Sequence, residues 1–171
     1  MLATTGLAAT AAVTALALPA GASPATAQAA SPAGGGTQHF QMMTTSATSN
    51  KSSLIAYGVL TAPGTDRQNP NGTDTFIFAG GTLGIKHTPA KGGDKQSFNG
   101  KTCLMQLTEK GTFKVTGGTG KYKGTTGSGT YLLSIIAIGP KLKSGACNPS
   151  QNAVPLAWHQ QINAVGKISL R

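Results

Sequence analysis

The stretch that decides the fold is residues 111–138, GTFKVTGGTGKYKGTTGSGTYLLSIIAI. Its two flanks consist of β-forming residues, and its middle is rich in glycine, at positions 117, 118, 120, 124, 127 and 129. Glycine adopts positive φ angles and permits close backbone approach at little steric cost. A glycine-rich segment between two β-forming flanks is typical of a tight hairpin that contains bulges. The sequence therefore predicts two paired strands here, of which the second is the longer.

This hairpin does not match either of two common nucleotide-binding motifs. A P-loop requires G-x-x-x-x-G-K followed by Ser or Thr, but Val115 stands at the first glycine position and Tyr122 follows the lysine. A dinucleotide fingerprint requires G-x-G-x-x-G before a helix, but Lys123 stands at its third glycine and a β-rich run follows. No helix N-terminus is predicted that would hold a phosphate. The sequence accordingly predicts no cofactor.

The first thirty residues differ from the rest of the chain. Residues 1–30 contain no charged residue, and their apolar core is interrupted by Pro19 and Pro24 before a run of small residues. This order resembles a secretory signal peptide that ends in an A-x-A cleavage site. The usual positively charged n-region is absent, so either the true start lies upstream or the export signal is atypical. We expect a removed signal peptide at 1–30, a flexible linker at 31–36, and one folded domain of a secreted, extracellular protein at 37–171.

The chain contains two cysteines, Cys103 and Cys147. In an oxidising compartment the simplest outcome is one disulfide between them. Closing a loop of about 45 residues would contribute roughly 4 kcal/mol to stability on the chain-entropy model. The alternative is a pair of free thiols of which one is catalytic, although neither cysteine has a basic neighbour in a recognisable motif.

The mature region is strongly basic. All fourteen Lys and Arg residues follow position 50, against four acidic residues, and the net charge is +10. Such a charge favours anionic partners, which outside a cell include wall polymers, acidic polysaccharide and anionic lipid. Nucleic acid is not a predicted partner, because the lysines are scattered singly and no aromatic stacking platform accompanies them. Most of the lysines are interpreted as solvated residues on the outer faces of strands.

The rest of the domain alternates β-forming segments with turn-forming residues. In residues 82–88, for example, Leu83, Ile85 and His87 share one face. Outside the hairpin, strands are predicted at 37–46, 54–62, 74–79, 82–88, 101–109 and 156–170, the last either whole or broken at Gly166. Turn-forming residues predict a loop at 65–73 and a mobile loop at 89–100. About seven to nine short strands without an amphipathic helix describe an antiparallel barrel or sandwich.

The hairpin also carries a family resemblance. Residues 113–127, FKVTGGTGKYKGTTG, resemble the glycine-rich, aromatic-containing segment of dirigent proteins and allene oxide cyclases, and look closest to the small secreted actinobacterial relatives of that superfamily. The resemblance implies a single eight-stranded antiparallel β-barrel whose lumen binds a small hydrophobic molecule. It also implies that Tyr122 covers one end of the barrel. Gly127 and Gly129, if they point inward, would leave space in the lumen for one ligand. The oligomeric state stays open, and a dimer and a trimer are both compatible.

Alternation and resemblance together select candidate site residues. Those expected to face the lumen are Leu83, Ile85, His87, Phe113, Val115, Gly127, Gly129, Tyr131 and Leu133. An ordinary core position is the competing interpretation for each of them taken singly. Three ionisable residues, His87, Asp74 and Glu109, are candidate acid–base catalysts. Asp74 begins a strand and Glu109 ends one, which favours solvated positions at the rims. No metal site is predicted, because the histidines lack ligand spacing.

Two functional hypotheses follow from these observations. In the first, the protein is a secreted barrel that binds a small hydrophobic molecule in its lumen and directs its isomerisation or cyclisation. In the second, the barrel is a non-enzymatic module whose basic exterior adheres to an anionic cell-envelope polymer or partner. A lumen completely filled by side chains would contradict the first hypothesis.

Overall fold

The computed structural model describes residues 34–150 and 152–171. The predicted signal peptide lies outside these residues, and so does the first half of the predicted linker. The other half, residues 34–36, differs from the prediction because it belongs to the first strand and pairs with residues 168–170 of the last. This pairing satisfies backbone groups that three successive glycines would otherwise leave to water. The folded domain thus begins at least three residues before the predicted boundary.

Eight strands form one closed antiparallel barrel, in which each strand pairs with the next in sequence and the last pairs with the first. The strands are β1 (Gly34–Thr44), β2 (Lys51–Gly58), β3 (Ala62–Gln68), β4 (Thr73–Phe78), β5 (Gly81–Asn99), β6 (Leu104–Gly118), β7 (Thr126–Ile138) and β8 (Ala157–Leu170). A short 3-10 helix, Gly120–Tyr122, lies between β6 and β7. The predicted fold class, a single eight-stranded antiparallel β-barrel, is confirmed.

The predicted loop at 65–73 is wrong for its first four residues, which belong to β3. The pair Pro63-Gly64 reads as the end of a strand, yet both residues are paired with β2 inside the barrel wall. Proline is tolerated near the start of a strand because it lacks only the backbone donor. At Gly64, a Cβ atom would lie 2.7 Å from the ring of Phe78, so the missing side chain gives that ring its place. Tertiary pairing therefore overrides the local turn signals.

The predicted mobile loop at 89–100 is also wrong for most of its length. Residues 94–99 continue β5 and pair with residues 104–109 of β6. The ladder is interrupted by an irregularity between Pro89 and Asp94, where the proline and two glycines read as a loop. Bulges of this kind keep a strand going while changing its direction. The predicted strand at 101–109 and the first strand of the hairpin are accordingly one strand, β6.

Alternation along the strands fills the middle of the barrel with apolar side chains. The ring of Phe40 meets the edge of Phe76 at a centroid distance of 5.0 Å and that of Phe113 at 6.0 Å. Aromatic pairs prefer such edge-to-face contacts. The buried cluster includes Phe40, Met42, Leu54, Phe76, Phe78, Leu83, Ile85, Phe113, Val115, Tyr131, Ala164 and Ile168.

One end of the barrel, which we call the closed end, is sealed by Gln38, Leu60, Phe78, Tyr122 and Leu170, all of them buried. The side chain of Gln38 accepts a hydrogen bond from the Leu60 backbone N–H at 2.7 Å and donates to the Leu60 carbonyl at 3.0 Å. Tyr122 packs against the ring of Phe78 at a centroid distance of 5.4 Å. Tyr122 therefore covers a barrel end, as predicted for it.

At the opposite, open end, the predicted disulfide between Cys103 and Cys147 is confirmed. It attaches the irregular segment between β7 and β8 to the tip of the β5–β6 hairpin. The backbone N–H of Gly139 also donates to the Cys103 carbonyl at 2.9 Å, which fixes the start of that segment. No helix among the described residues is long and apolar enough to cross a membrane.

Candidate functional site

A cavity of about 230 Å³ occupies the open-end half of the lumen. Its deeper wall is apolar, with Phe40, Phe76 and Phe113 among its members. Its outer wall is polar. The complete lining consists of Phe40, Met42, Gln68, Asp74, Phe76, Ile85, His87, Glu109, Phe113, Tyr131, Leu133, Gln160, Ile162 and Ala164. The lumen is therefore not completely filled by side chains, and its free space combines an aromatic interior with an ionisable mouth.

The first polar pair at the mouth is Asp74 and His87. Asp74 lies at the start of β4, opposite Ile85 of β5, and His87 lies two residues further along β5 on the same face. This register brings His87 Nδ1 to 3.1 Å from Asp74 Oδ2. The hydrogen bond to Asp74 raises the pKa of His87. The carboxylate thus favours the protonated imidazole.

The second polar pair is Tyr131 and Glu109. The Tyr131 hydroxyl donates a hydrogen bond of 2.6 Å to Glu109 Oε1. Tyr131 lies opposite Gly111 of β6, where a Cβ atom would overlap its ring, so the glycine makes room for the phenol. Burial, together with the Glu109 hydrogen bond, raises the pKa of Tyr131 well above its usual range. The phenol therefore keeps its proton and serves as a hydrogen-bond donor.

The two pairs are neighbours. The rings of His87 and Tyr131 meet edge to face at a centroid distance of 6.0 Å. An imidazole and a phenol, each oriented by its own carboxylate, thereby face one cavity. Oriented acid and base groups that face one cavity are the arrangement that general acid–base catalysis requires.

A third carboxyl group, Asp66, lies on the lumen side of β3, directly opposite Phe76. The residue is only 1% exposed, and neither of its oxygens has a hydrogen-bond partner among the described residues. Burial, and next the nearby charge of Asp74, raise the pKa of Asp66 to about 7. A carboxyl group with such a pKa both gives and accepts protons near neutral pH. Asp66 therefore changes its protonation near neutral pH, but its side chain does not line the cavity.

Charge is separated between the inside and the outside of the barrel. Three of the four acidic residues of the chain, Asp66, Asp74 and Glu109, face the open-end half of the lumen, and only Asp94 is exposed outside it. Among the described residues no lysine or arginine lines the cavity. The site is therefore acidic within a protein of net charge +10.

The basic residues lie outside. Lys86 of β5 is directly opposite Lys114 of β6, and Lys114 and Lys167 both lie opposite Ser128 of β7. These residues, which we call the lysine row, are exposed on the outer face. Lysines placed directly opposite each other repel, so the row gains stability when an anion binds between them. It is the most concentrated basic feature that the strand register creates among these strands.

Five of the predicted lumen residues line the cavity: Ile85, His87, Phe113, Tyr131 and Leu133. Leu83 and Val115 are buried deeper, in the core towards the closed end. The candidates Asp74 and Glu109 reach the cavity as well. The expectation of a solvated rim position is wrong for Asp74, whose side chain is 13% exposed and paired with His87.

The prediction that Gly127 and Gly129 leave space in the lumen is wrong. At Gly129 a Cβ atom would lie 2.6 Å from Phe113 Cε1 and would overlap the Val165 carbonyl of β8. At Gly127 it would lie 2.8 Å from the Cα of Ile168. The missing side chains are therefore replaced by close strand packing and by an aromatic ring. Neither glycine lines the cavity.

Several residues in or beside the cavity were not among the candidates. Gln68, which lines the cavity, and Asp66 both lie in β3, a strand that was not predicted because its residues are turn-forming. Other missed residues lie in segments where apolar and polar side chains alternate: Phe40, Met42, Phe76 and residues 160–164 of β8. Alternation predicts which side chains point inward, but it does not distinguish a core residue from one that lines a cavity. The described residues hold no cluster of three or more His, Cys, Asp or Glu side chains that would bind a metal ion.

Comparisons with protein-family models, with curated proteins and with solved structures find no match for this chain.

Proposed function

We propose that this protein is a secreted barrel that binds a small hydrophobic molecule in its lumen and transfers a proton on it, as an isomerase or cyclase does. The observation that carries the proposal is that the Asp74–His87 pair and the Glu109–Tyr131 pair line one cavity with an aromatic interior, and that the buried carboxyl group of Asp66 lies nearby, opposite Phe76. Ionisable groups with shifted pKa values in a cleft are typical of catalytic sites. The resemblance of the hairpin to dirigent proteins and allene oxide cyclases supports the same class of reaction.

The chemistry assigns a role to each group. The aromatic interior would hold the apolar body of the ligand and exclude water. His87, held by Asp74 in the cavity wall, would accept a proton from carbon or oxygen and return it, and the nearby charge of Asp66 would favour its protonated form. Tyr131, held by Glu109, would donate a hydrogen bond to an oxygen on which negative charge develops. No covalent intermediate is needed.

Native mass spectrometry of the purified protein tests ligand binding. We expect a co-purifying small molecule with the wild type, and its loss when Ala164→Leu fills the cavity. The matched control is Ala157→Leu, which adds the same side chain at an exposed position of the same strand. Equal ligand occupancy in both variants would contradict lumen binding.

Proton transfer is tested separately, with the recovered ligand in D₂O. The wild type should exchange a ligand hydrogen for deuterium, and His87→Gln should slow this exchange by a factor of about 10²–10⁴, the usual contribution of a general acid–base group. Exchange at the wild-type rate in His87→Gln would remove His87 from the mechanism.

A second candidate function is adhesion to an anionic envelope polymer, and the observation that favours it is the lysine row. Opposed lysines without a carboxylate between them suit a repeating anion. We expect sedimentation with a polyanion such as teichoic acid or polyglutamate at about 20 mM salt, and release at about 500 mM. Lys114→Gln should weaken this binding more than Lys51→Gln, at the far side of the barrel. Binding that ignores salt would contradict this function.

A further inference from the structure

We infer that the ligand of the lumen is a small amphiphilic cation, with an aromatic-sized apolar body and a protonated amine that binds to Asp74 in the cavity wall. This inference rests on the proposed function and specifies its ligand class. It follows from four properties of the open-end half of the lumen: unpaired acceptors, net charge, aromatic faces and size.

The unpaired acceptors are buried carboxylate oxygens. Asp74 Oδ1 and both oxygens of Asp66 are buried, and none of them has a hydrogen-bond donor in the described part of the chain. A buried carboxylate without donors is costly, whereas one that accepts charge-assisted hydrogen bonds is stabilised. A hydroxyl group supplies one donor, but a primary ammonium supplies three and carries a charge. The ammonium is therefore the group that best satisfies Asp74 Oδ1, the unpaired acceptor of a residue in the cavity wall, while Asp66 adds negative charge nearby.

The charge of the cavity favours the same ligand. The wall holds the carboxyl groups of Asp74 and Glu109, with Asp66 nearby, opposite Phe76 in the adjacent strand, against the single basic group of His87. The lysines of the chain lie outside this wall. His87 pairs with Asp74 alone, so an anionic ligand would still face the carboxyl groups of Glu109 and Asp66, and like-charge juxtaposition of this kind excludes ligands effectively. The acidic cavity thus selects against fatty acids and other carboxylates.

The aromatic faces accommodate the rest of the ligand. Phe40, Phe76 and Phe113 form the floor of the cavity, and Tyr131 stands at its side. Such rings bury an apolar body and attract a cation over their faces. The cavity of about 230 Å³ is smaller than typical drug-binding pockets of about 300–1,000 Å³. A single substituted ring is therefore the size that fits.

Binding of such a cation is coupled to protons. Asp66 has a pKa of about 7, and a bound ammonium would favour its ionised form, so binding should release protons and tighten as pH rises from 6 to 8. Loss of the His87 proton acts in the same direction, because it removes a competing cation from Asp74. Tyr131, whose hydroxyl is held by Glu109, keeps its proton over this range and does not oppose the trend. An alkylammonium like that of lysine, with a pKa of about 10.4, stays charged throughout.

The test uses three probes of one shape: 2-phenylethylamine, 2-phenylethanol and phenylacetate. Isothermal titration of the intact protein at pH 7.5 should give a dissociation constant for the amine at least about tenfold below that of the alcohol, which corresponds to about 1.4 kcal/mol. Phenylacetate should bind weakest. At pH 6 the preference for the amine over the alcohol should shrink.

Equal or tighter binding of the alcohol or of phenylacetate would overturn the inference while leaving lumen binding, and so the proposed function, intact. Failure of all three probes would also overturn it, and the native mass spectrometry of the co-purifying molecule would then decide the proposed function on its own.

Single-residue variants show which carboxyl group causes the preference for the amine over the alcohol. Asp74→Asn should reduce the amine-to-alcohol preference at least about fivefold, with the alcohol affinity little changed. Asp94→Asn removes the exposed acidic residue and should leave the preference unaltered. If Asp74→Asn does not fold, Asp66→Asn gives the same test at pH 8. An equal loss of preference in Asp74→Asn and Asp94→Asn would mean that the amine senses only the overall charge.

Discussion

The two ends of the barrel treat a buried polar side chain in opposite ways. At the closed end, Gln38 is 0% exposed, and its amide exchanges two hydrogen bonds with the Leu60 backbone. At the open end, Asp66 is 1% exposed, and its carboxyl group has no partner among the residues described. Both residues are buried on the inner face of a strand, so neither burial nor the direction of the side chain distinguishes them. They differ in whether the buried polar group has hydrogen-bond partners.

The difference separates structure from function. A buried polar group that is completely paired contributes to stability and fixes the geometry around it. One that is unpaired destabilises the folded state, and such groups persist where activity requires them. Gln38 therefore belongs to the seal of the closed end. Under the proposed function, Asp66 belongs to the site at the open end, and the rest of the barrel offsets the stability that its unpaired carboxyl group costs.

Asp66→Asn is the variant with the largest expected effect on stability, and it should stabilise the protein at alkaline pH. The pKa of Asp66 rises from 3.8 to about 7 on folding. The folded state therefore binds the proton more strongly, and stability is lost as pH rises from about 4 to 7. A shift of this size corresponds to about 4 kcal/mol above pH 8. We expect chemical unfolding to show a gain of this order at pH 8.5 and almost none at pH 3.5.

The control for this measurement is Asp94→Asn, an exposed acid whose removal should change stability by less than about 0.5 kcal/mol at any pH. A pH-independent effect of Asp66→Asn would mean that Asp66 finds a donor in solution. The contrast between the two ends would then disappear.

At the closed end, Gln38→Leu should destabilise the protein by about 3 kcal/mol, because it leaves the Leu60 N–H and carbonyl buried without their partners. Leucine fills a similar volume, so the loss reports the hydrogen bonds and not a cavity. The measurement is the same unfolding experiment, and the effect should be equal at pH 3.5 and pH 8.5. A loss of less than about 1 kcal/mol would show that water reaches this end.

The same contrast explains how much the sequence could predict. The inward face of β5, with Leu83, Ile85 and His87, follows from strict alternation, and the hairpin follows from its glycines. The disulfide follows from the presence of two cysteines in a chain that is expected to be secreted. These features depend on local pattern or simple composition, and the structure confirms the fold and the bridge.

The polar site depends on register, which local pattern does not contain. Asp66 lies in a segment of turn-forming residues that becomes a strand only because β2 and β4 pair with it. The contact of Asp74 with His87 depends on the register that pairs Asp74 of β4 with Ile85 of β5, two residues before His87. Likewise, the neighbour that fills the place of a Gly129 side chain is a ring on another strand. Such contacts join strands that are distant in sequence, so they can be identified only when the strand register of the closed barrel is known.

Tyr131→Phe should give the smallest effect of the three, a loss of about 1 to 2 kcal/mol, because it removes one hydrogen bond to a carboxylate. Glu109 is only half-buried, so water can replace the lost donor, as it cannot for the Leu60 backbone. Tyr57→Phe, on the outer face, is the matched control and should be nearly neutral, and both variants can be compared by thermal unfolding at pH 7. If Tyr131→Phe reduced stability as much as Gln38→Leu, water would be excluded from the open end as completely as from the closed end. The mouth of the cavity would then not admit a ligand from solution.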